Sequence, residues 1–409
     1  MNNSDQLMQR LKLSAQMLNH SALKNSGEPI ELFSSVAWSI LTEPGDEFGG
    51  LLRQALGGPE ALALLVNGAS RDAWHAALKD TGQFEQAEHR FVDFAATLDE
   101  SLARWLPRLS MASVIKSLDE AARLDVQLVD HQHEHWPEQL GDLQLATPCL
   151  LWVRGQTSAL AQSQKSWAIV GCRTPTSYGF DVTTSLVQGL AEQDFAVVSG
   201  GAFGIDAIAH SCALLVGVPT IAVMAGGVDR LYPRANESLL RKIVDSGAVI
   251  SEVALGTAPT KWRFLQRNRI IAALSVGTLV VEAGIRSGAV NTANHAAALN
   301  RHVAAVPGSI LSAKSQGTNK LIAESKALLI QSSKDLADLY FDSIAEFPFS
   351  EASLSPLETR TLDALGFSNR SVQEICSDAG ITNNEATVTL QKLISKGAVF
   401  QRGGGFARA

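Results

Sequence analysis

The sequence predicts an α/β protein whose central domain is a doubly wound parallel sheet. Two observations predict it. Between residue 166 and about residue 330, short apolar runs alternate with stretches of helical spacing, and the runs are rich in Val, Ile and Ala: WAIVG, FAVVSGG, TIAVMAGG, AVISE, TLVVEAG and HVAAVPG. Each run is followed within a residue or two by Gly, Ser or Glu, and helical stretches such as 179–193 and 205–215 separate the runs. Because continuous apolar strands are buried on both faces, helices are expected on both sides of this sheet.

A mostly helical region precedes this domain. Residues 1–145 are largely polar with amphipathic spacing, and GGLLRQALGGPEALALL predicts two short helices broken by Gly57, Gly58 and Pro59. Two helices that only pack against each other account for this pattern. The more specific alternative is a helical hairpin that contacts nucleic-acid backbones. The run carries no clear basic excess, which favours the two packed helices.

The last part of the chain predicts a winged-helix domain. Residues 351–409 contain a helix, a turn at Gly380, a second helix from about Asn383 and two short strands. This segment carries six Lys or Arg against six Asp or Glu, so the second helix lacks the basic face of a duplex reader. A contact with protein is therefore at least as well supported there. The predicted domains are 1–145, 146–345 and 351–409.

Composition excludes several classes of protein. The chain has 409 residues and a formal net charge of −7, which argues against a general polyanion binder. A local basic groove remains possible because salt confines each charged patch to about 10 Å at 0.1 M. The four cysteines form no C-x-x-C pair, and the HQHEHW cluster lacks further metal ligands and is expected in an exposed loop or edge. Without a signal peptide or an 18-residue apolar stretch, a cytoplasmic protein with no metal and no membrane contact is expected.

The Gly-rich segments of the central domain predict a ligand site. Each follows a strand, at the edge where open parallel sheets bind ligands, and successive backbone N–H groups there can hold a phosphate. No Walker loop and no G-x-G-x-x-G occurs, so no nucleotide cofactor is expected. The candidate residues are Gly171 and Arg173 after the first strand, Ser199, Gly200, Gly201 and Gly204 after the second, and Ser287 and Gly288 in the AGIRSG loop.

The segment TKWRFLQRNR predicts contact with a single-stranded nucleic acid. It interleaves four cations with two aromatic rings: Lys261, Arg263, Arg267 and Arg269 with Trp262 and Phe264. Cations neutralise phosphates, and an aromatic face can stack on a free base. A duplex would hide those base faces. Alternatively, Arg267 and Arg269 around Asn268 form an internal salt-bridge cluster.

Two further patterns allow catalytic or structural interpretations. Asp206 and His210 are four residues apart on one predicted helix, so they could form a dyad, but a carboxylate complementing the helix N-terminus is the favoured interpretation. Glu282 ends a predicted strand on the ligand side, where it could act as a catalytic carboxylate or orient the following loop.

Taken together, the motifs resemble the DprA/Smf family of DNA-processing proteins of bacterial natural transformation. The similar segments keep the family's order and spacing: GCRTPTSYG, VVSGGAFGIDAIAH, AVMAGGVDRLYPRAN, ISEVALGTAPTKWRFLQRNRIIAALS, TLVVEAGIRSGAVNTANHA, VAAVPGS and GTNKLI. The resemblance implies an extended Rossmann-like domain that binds single-stranded DNA, a homodimer, and help in loading RecA recombinase, without catalysis or a cofactor. It also implies a small helical, SAM-like N-terminal domain, and about the first 35 residues of this chain have no counterpart there.

The resemblance also implies roles for individual residues. Arg173 and Lys261 match phosphate-contacting residues, and Phe264 matches an aromatic residue that stacks near a base. The sequence Arg267, Asn268, Arg269 matches the family's RNR signature, and Ser287 with Gly288 matches its later SG turn. Two positions depart from the family: Phe203 stands where many members carry Arg or Lys, and Leu265 replaces the usual proline.

These observations support two functions. The first is a non-enzymatic mediator of recombination that binds and protects incoming single-stranded DNA and helps load RecA. The alternative is an enzyme similar to nucleotide phosphoribohydrolases, with Glu282 near Arg173 and Arg286. The P-G-G-x-G-T loop that this chemistry requires for phosphate does not occur.

Overall fold

The structure is a computed structural model that describes residues 29–82, 90–91, 93–344, 355–365, 369–395, 398–402 and 404–408. The chain divides into two compact units between Ala337 and Asp338. The expectation for the extra N-terminal segment falls largely on residues 1–28 and lies outside the described residues. The first unit is called the sheet unit below, and the second the C-terminal unit.

A nine-stranded sheet forms the centre of the sheet unit. Its strands are β1 (Val126–Val129), β2 (Leu151–Gly155), β3 (Ser166–Val170), β4 (Ala196–Ser199), β5 (Thr220–Val223), β6 (Ala248–Ser251), β7 (Gly277–Val280), β8 (His302–Ala305) and β9 (Leu328–Leu329). They lie in the order β1-β2-β6-β5-β4-β3-β7-β8-β9, and β3 to β9 are parallel. The six apolar runs form β3 to β8, so the predicted parallel α/β sheet is confirmed.

Both faces of the sheet are buried, as the apolar runs require. Along β6, Val249 packs into one hydrophobic core, whereas Ala248 and Ile250 pack into the other. The helices that follow the strands cover these faces: α8 (Ser177–Ala191), α9 (Ile205–Val216), α10 (Glu237–Ser246), α11 (Lys261–Leu274), α12 (Gly288–Ala298) and α13 (Gln316–Ala323), preceded by the short α7 (Ser158–Ala161). A further helix, α14 (Ser333–Ile344), spans the point at which the two units divide.

The first two strands differ from the expectation. Residues 126–129 lie in a region predicted to be mostly helical, but β1 pairs antiparallel with β2, which pairs antiparallel with β6. Val126, Leu128 and Val129 are buried, so the four-residue segment VQLV gains its core contacts as an extended edge strand. The region is thus mostly helical but also contributes this edge strand to the sheet.

Helices fill most of the region before the sheet: α1 (Pro29–Leu41), α2 (Glu47–Leu56), α3 (Gly58–Val66), α4 (Arg71–Asp80), α5 (Phe94–Trp105) and α6 (Met111–Arg123). The predicted helix pair is present as α2 and α3. Asp46 caps α2 by accepting from Gly49 N at 3.0 Å, Gly57 ends it with a φ of 84°, and Pro59 lies in the first turn of α3. Trp38 and Trp105 meet edge to face at 5.4 Å in a core shared with one face of the sheet.

The HQHEHW segment follows β1 as a loop, but it is not uniformly exposed. His133 is buried, and its Nδ1 accepts from His135 N at 3.0 Å. The ring is thus used to hold the loop closed. Within the described ranges, no helix is long and apolar enough to cross a membrane.

The C-terminal unit contains α15 (Pro356–Leu365), α16 (Val372–Ala379), α17 (Asn383–Ser395), and the antiparallel strands β10 (Val399–Arg402) and β11 (Gly405–Arg408). A capping box of Ser371 and Glu374 starts α16, and Gly380 ends it with a φ of 62°. The order of helix, turn, helix and two strands agrees with the sequence. Leu365, Ile375 and Leu393 lie at the centre of its own small core.

Candidate nucleic-acid interface

A cavity of about 740 Å³ opens at the carboxyl end of the sheet. It lies at the end of β3, which has β4 on one side and β7 on the other, so the strand order reverses there. Open α/β sheets bind ligands at such a reversal point. The structure brings eight of the predicted site residues into its lining: Gly171, Arg173, Lys261, Phe264, Arg267, Asn268, Ser287 and Gly288. Arg286, which the sequence suggested only for an enzyme site, lines it too.

Residues from the N-terminal ends of three helices line this cavity. Thr260 caps α11 by accepting from Arg263 N at 3.2 Å, and Ser287 caps α12 by accepting from Ala289 N at 3.2 Å. The start of α9 contributes Ala202 and Asp206. Because helix N-termini carry partial positive charge and free N–H groups, α11 and α12 favour an anion in the cavity.

Three cations at the cavity have no acidic partner in the part of the chain that the structure describes. Arg173, Lys261 and Arg286 are exposed, and none forms an ion pair with a carboxylate of the described residues. Such cations can bind a phosphate without first breaking a salt bridge. They give the cavity a positive lining on a chain that is acidic overall.

Aromatic rings stand beside these cations. The Phe264 ring lies 5.8 Å from the guanidinium carbons of both Arg173 and Arg267. The ring of Tyr232, which is 48% exposed, lies 5.8 Å from Phe264. Sequence analysis missed Tyr232, although its position after β5 in a Gly-rich segment was a usable signal. The pair offers an aromatic surface on which a base could stack.

Arg267 lines the cavity as part of its framework. It is only 7% exposed, and its Nη1 donates to Gly200 O at 2.8 Å and also to Val223 O. Burial lowers the pKa of Arg267 to about 10, against the opposing charge of Asp206 and with a contribution from Arg173. The side chain stays protonated at neutral pH and ties the β4–α9 turn to β5.

Asn268 links two of the helices at the site. Its Nδ2 donates to Gly288 O at 3.3 Å and to Asn291 Oδ1 at 3.0 Å. These bonds fix the start of α12 against α11, and so set the position of the SG turn.

Five predicted site residues do not line the cavity. Arg269 is 4% exposed and pairs with Glu252 at 2.5 Å, as the internal-cluster alternative describes. Ser199 is fully buried and donates to Ile169 O at 2.6 Å. The other three, Gly200, Gly201 and Gly204, shape the β4–α9 turn, where the last two have φ of 64° and 77°.

Within TKWRFLQRNR, the structure separates residues that the sequence groups together. Arg263 pairs with Glu43 at 2.8 Å, and Arg269 pairs with Glu252. Of its four cations, only Lys261 is both exposed and without an acidic partner among the described residues. Trp262 points away from the cavity that Phe264 lines and contributes to a different pocket.

The catalytic alternatives find little support in the geometry. His210 is buried with its Nδ1 2.7 Å from Thr220 Oγ1, and burial lowers its pKa to about 3. Asp206 instead accepts from Gly200 N at 3.2 Å, so its carboxylate holds the turn that precedes α9. Glu282 is 1% exposed, and its carboxylate accepts from Thr176 N at 2.9 Å and from Thr176 Oγ1 at 2.6 Å. Among the described residues, no group of three or more His, Cys, Asp or Glu is arranged to hold a metal ion.

Known proteins are similar to this chain over the region that builds the cavity. Residues 127–341, just over half of the chain, match the family described as DNA recombination-mediator protein A. A Bacillus subtilis relative, DNA processing protein DprA, is 34% identical over 242 residues, which are 59% of this chain and 79% of the relative. A Mycobacterium tuberculosis relative is 41% identical over 237 residues, and the match spans 57% of this chain and only 59% of that relative's length.

A solved structure extends the similarity to the fold. The X-ray structure of DNA processing protein A (DprA) from Streptococcus pneumoniae matches with a TM-score of 0.57 and 29% identity, over 74% of this chain and 95% of that chain. The family match includes the strands, glycine turns and cations around the cavity. This chain therefore belongs to the DNA recombination-mediator protein A family, whose members include the DprA and Smf proteins.

Proposed function

We propose that this chain binds single-stranded DNA in the cavity at the carboxyl end of its sheet and acts in recombination without catalysing a reaction. One observation carries the proposal. Cations without an acidic partner among the described residues, two capped helix N-termini and the ring of Phe264 meet in one cavity, and the ring of Tyr232 lies 5.8 Å from that of Phe264. Phosphates suit the cations and the helix ends, and bases suit the rings.

The aromatic surface favours a single strand over a duplex. Stacking needs a base whose face is free, and paired bases in a duplex cover one another's faces. Tyr232 and Phe264 stand beside Arg173, so one nucleotide could place its base on a ring and its phosphate near a guanidinium. A duplex could use the cations alone, and it should therefore bind more weakly.

The hydrolase alternative is less well supported. Its catalytic carboxylate would have to reach a substrate in the cavity, whereas both oxygens of Glu282 are occupied by Thr176. That arrangement makes Glu282 the partner that holds Thr176, the N-cap residue of α8, in place. Release of free base from a nucleotide monophosphate by the purified protein would revive the alternative.

The wider role in the proposal rests on family membership. By that argument, the chain works in the cytoplasm as a homodimer, protects incoming single strands during natural transformation and helps load RecA onto them. The C-terminal unit has the element order of a winged helix, and we include a winged-helix module in the proposal.

A titration with labelled oligothymidylate at two salt concentrations, with the matching duplex as competitor, tests the binding. Arg173→Ala, Lys261→Ala and Arg286→Ala should each weaken binding, and each should flatten the slope of log affinity against log salt by about 0.7 per lost phosphate contact. Lys242→Ala removes an exposed lysine on α10 outside the cavity lining and should bind as the unaltered protein does. If the three cavity variants also bind unchanged, or if the duplex displaces the oligonucleotide, this site is wrong.

A further inference from the structure

A second pocket, of about 520 Å³, opens beside the first turn of α11. Lys261 lines the cavity described above, and the next residue, Trp262, lines this second pocket. The first turn of α11 therefore forms part of the wall of the cavity and part of the wall of the second pocket. A strand that follows Lys261 out of the cavity would reach Trp262 next.

Trp262 is unusual among the tryptophans of this chain. It is 56% exposed, whereas each of the other six is at most 8% exposed. Those six have roles in the cores, but the indole of Trp262 presents its surface to solvent. An exposed indole costs hydration free energy that a stacked base would remove.

The opposite wall of the second pocket comes from the N-terminal helices. Phe48, Phe91 and Trp105 form its aromatic floor, with Phe48 lying 5.0 Å from Phe91 and 6.2 Å from Trp105. Arg104 and Arg108 stand at its rim, with side chains 60% and 41% exposed. Phe48 and Trp105 are themselves buried, so the exposed aromatic surface of this pocket comes mainly from Trp262. An exposed aromatic ring together with exposed guanidinium groups is the combination that single-stranded nucleic acids bind.

The acids of this pocket are already neutralised. Glu43 pairs with both Arg263 and Arg108 at 2.8 Å, and Glu47 pairs with Arg90 at 3.1 Å. Asp46 caps α2 and lies 4.0 Å from Arg104. The arginines of these pairs outnumber the carboxylates, so a phosphate at the rim is not repelled.

We propose that the bound single strand continues from the cavity over the first turn of α11 into this second pocket, where Trp262 stacks on a base and Arg104 contacts a phosphate. This inference rests on the proposed function, because it extends the same strand. It makes the N-terminal helices part of the DNA-binding surface, a role that their sequence did not favour. Continuity with the cavity through Lys261 and Trp262 is what selects DNA as the occupant.

Intrinsic fluorescence tests the inference directly. Oligothymidylates of about 4 and about 16 nucleotides, the range of single-strand site sizes, are titrated into the full-length protein, and binding is followed separately by anisotropy of labelled strands. The long strand should quench the fluorescence of Trp262, and the short strand should bind without that quenching. Trp262→Phe, which keeps a ring, should abolish the quenching and retain most of the affinity.

Trp262→Ala provides the affinity test. Its binding of the long strand should fall about fivefold to about a hundredfold, the range of one base–aromatic stack, and its binding of the short strand should not change. Arg104→Ala should lower the salt slope for the long strand only. Both side chains are exposed, so the variants should fold.

The outcomes separate this inference from the proposed function. If the long strand binds but neither quenches Trp262 nor responds to Trp262→Ala, the extension is wrong and the cavity proposal stands. Such a result would leave the second pocket to a partner protein. If Trp262→Ala weakens short and long strands equally, the extension is also wrong. If no single strand binds at all, both proposals fail.

Discussion

The cavity of the sheet unit and the helix–turn–helix of the C-terminal unit both have sequence patterns typical of nucleic-acid binding, but they use their cations differently. At the cavity, Arg173 and Lys261 are exposed without acidic partners among the described residues. In the C-terminal unit, Arg360 donates to Ala379 O and Gly380 O, and Arg370 is paired with Asp378. Those guanidinium groups hold one helix to the next and are not available for phosphate.

Only a cation that is not already held by another group of the protein can bind a phosphate. The number of such cations therefore matters more than the total number of cations. The exposed part of α17 also presents apolar side chains, including Val388 and Ile394. A surface of this kind is better suited to protein than to a phosphate backbone.

The largest expected effect concerns a cation that lines the cavity but acts as framework. Arg267→Ala removes the donor to Gly200 O and Val223 O and leaves Asp206 buried without its nearby positive charge. The free energy of unfolding of the sheet unit should fall by about 3–5 kcal/mol, because two buried carbonyls lose their donor and a buried carboxylate loses a nearby positive charge. Urea unfolding followed by tryptophan fluorescence measures it, since all seven tryptophans precede residue 263.

Lys261→Ala, on the same helix, is the matched control. Because Lys261 is exposed and makes no ion pair with a described carboxylate, its loss should change the free energy of unfolding by no more than about 0.5 kcal/mol. If Arg267→Ala keeps full stability and loses only DNA binding, Arg267 contacts the ligand. The distinction between buried cations that stabilise the fold and exposed cations that bind phosphate would then be wrong.

The second prediction is that the stability of the two units depends differently on pH. Burial lowers the pKa of His210 to about 3 in the folded protein, from an ordinary 6.5, so below pH 6.5 the unfolded chain binds a proton that the folded chain does not. The free energy of unfolding of the sheet unit should therefore fall as pH drops from 6.5 towards 3, by up to about 1.4 kcal/mol per pH unit from this residue, or about 2 kcal/mol at pH 5. Burial lowers the pKa of His295 as well, which adds in the same direction.

The C-terminal unit should be stable over the same window. Residues 338–409 contain no histidine. The pKa values of Glu374 and Glu385 are lowered in the folded protein, so the stability that these carboxylates contribute is lost only when the pH falls far enough to protonate them. Urea unfolding at pH 7 and pH 5 reports the sheet unit by fluorescence, and hydrogen exchange of peptides from 369–395 reports the C-terminal unit. His210→Asn should show a shallower pH dependence. An unchanged slope in that variant would mean that His210 is accessible to protons.

The smallest expected effect comes from removing α15 to α17, β10 and β11, the helices and strands of the C-terminal unit that lie beyond residue 353. A chain that ends before Leu354 should bind single-stranded oligothymidylate within about twofold of the full-length affinity, because the described arginines there have internal partners. The anisotropy titration used above measures it. A tenfold loss would place a DNA contact in the C-terminal unit and would remove the contrast between the two regions.

The sequence predicted the sheet well because each apolar run is a local signal. WAIVG and TLVVEAG form neighbouring strands, and the residues that follow them line the cavity. The roles of the arginines were not readable in the same way. Arg263 and Arg269 look like Lys261 in the sequence, and only the folded chain brings Glu43 and Glu252 to them. The position of Tyr232 after a Gly-rich strand end was readable, but its proximity to Phe264 was not, because that depends on the order of strands in the sheet.

The contact between Gly200 and Arg267 has a consequence for how relatives of this chain can vary. A Cβ atom on residue 200 would overlap the guanidinium that donates to the carbonyl of that same residue. A similar relation holds between Gly179 and Glu282, where a Cβ would overlap the carboxylate that accepts from Thr176, the N-cap residue of α8. Each glycine is thus tied to one distant charged residue, and a lineage that replaces the glycine must also replace or displace its partner. The two pairs should appear as coupled substitutions when many relatives are aligned.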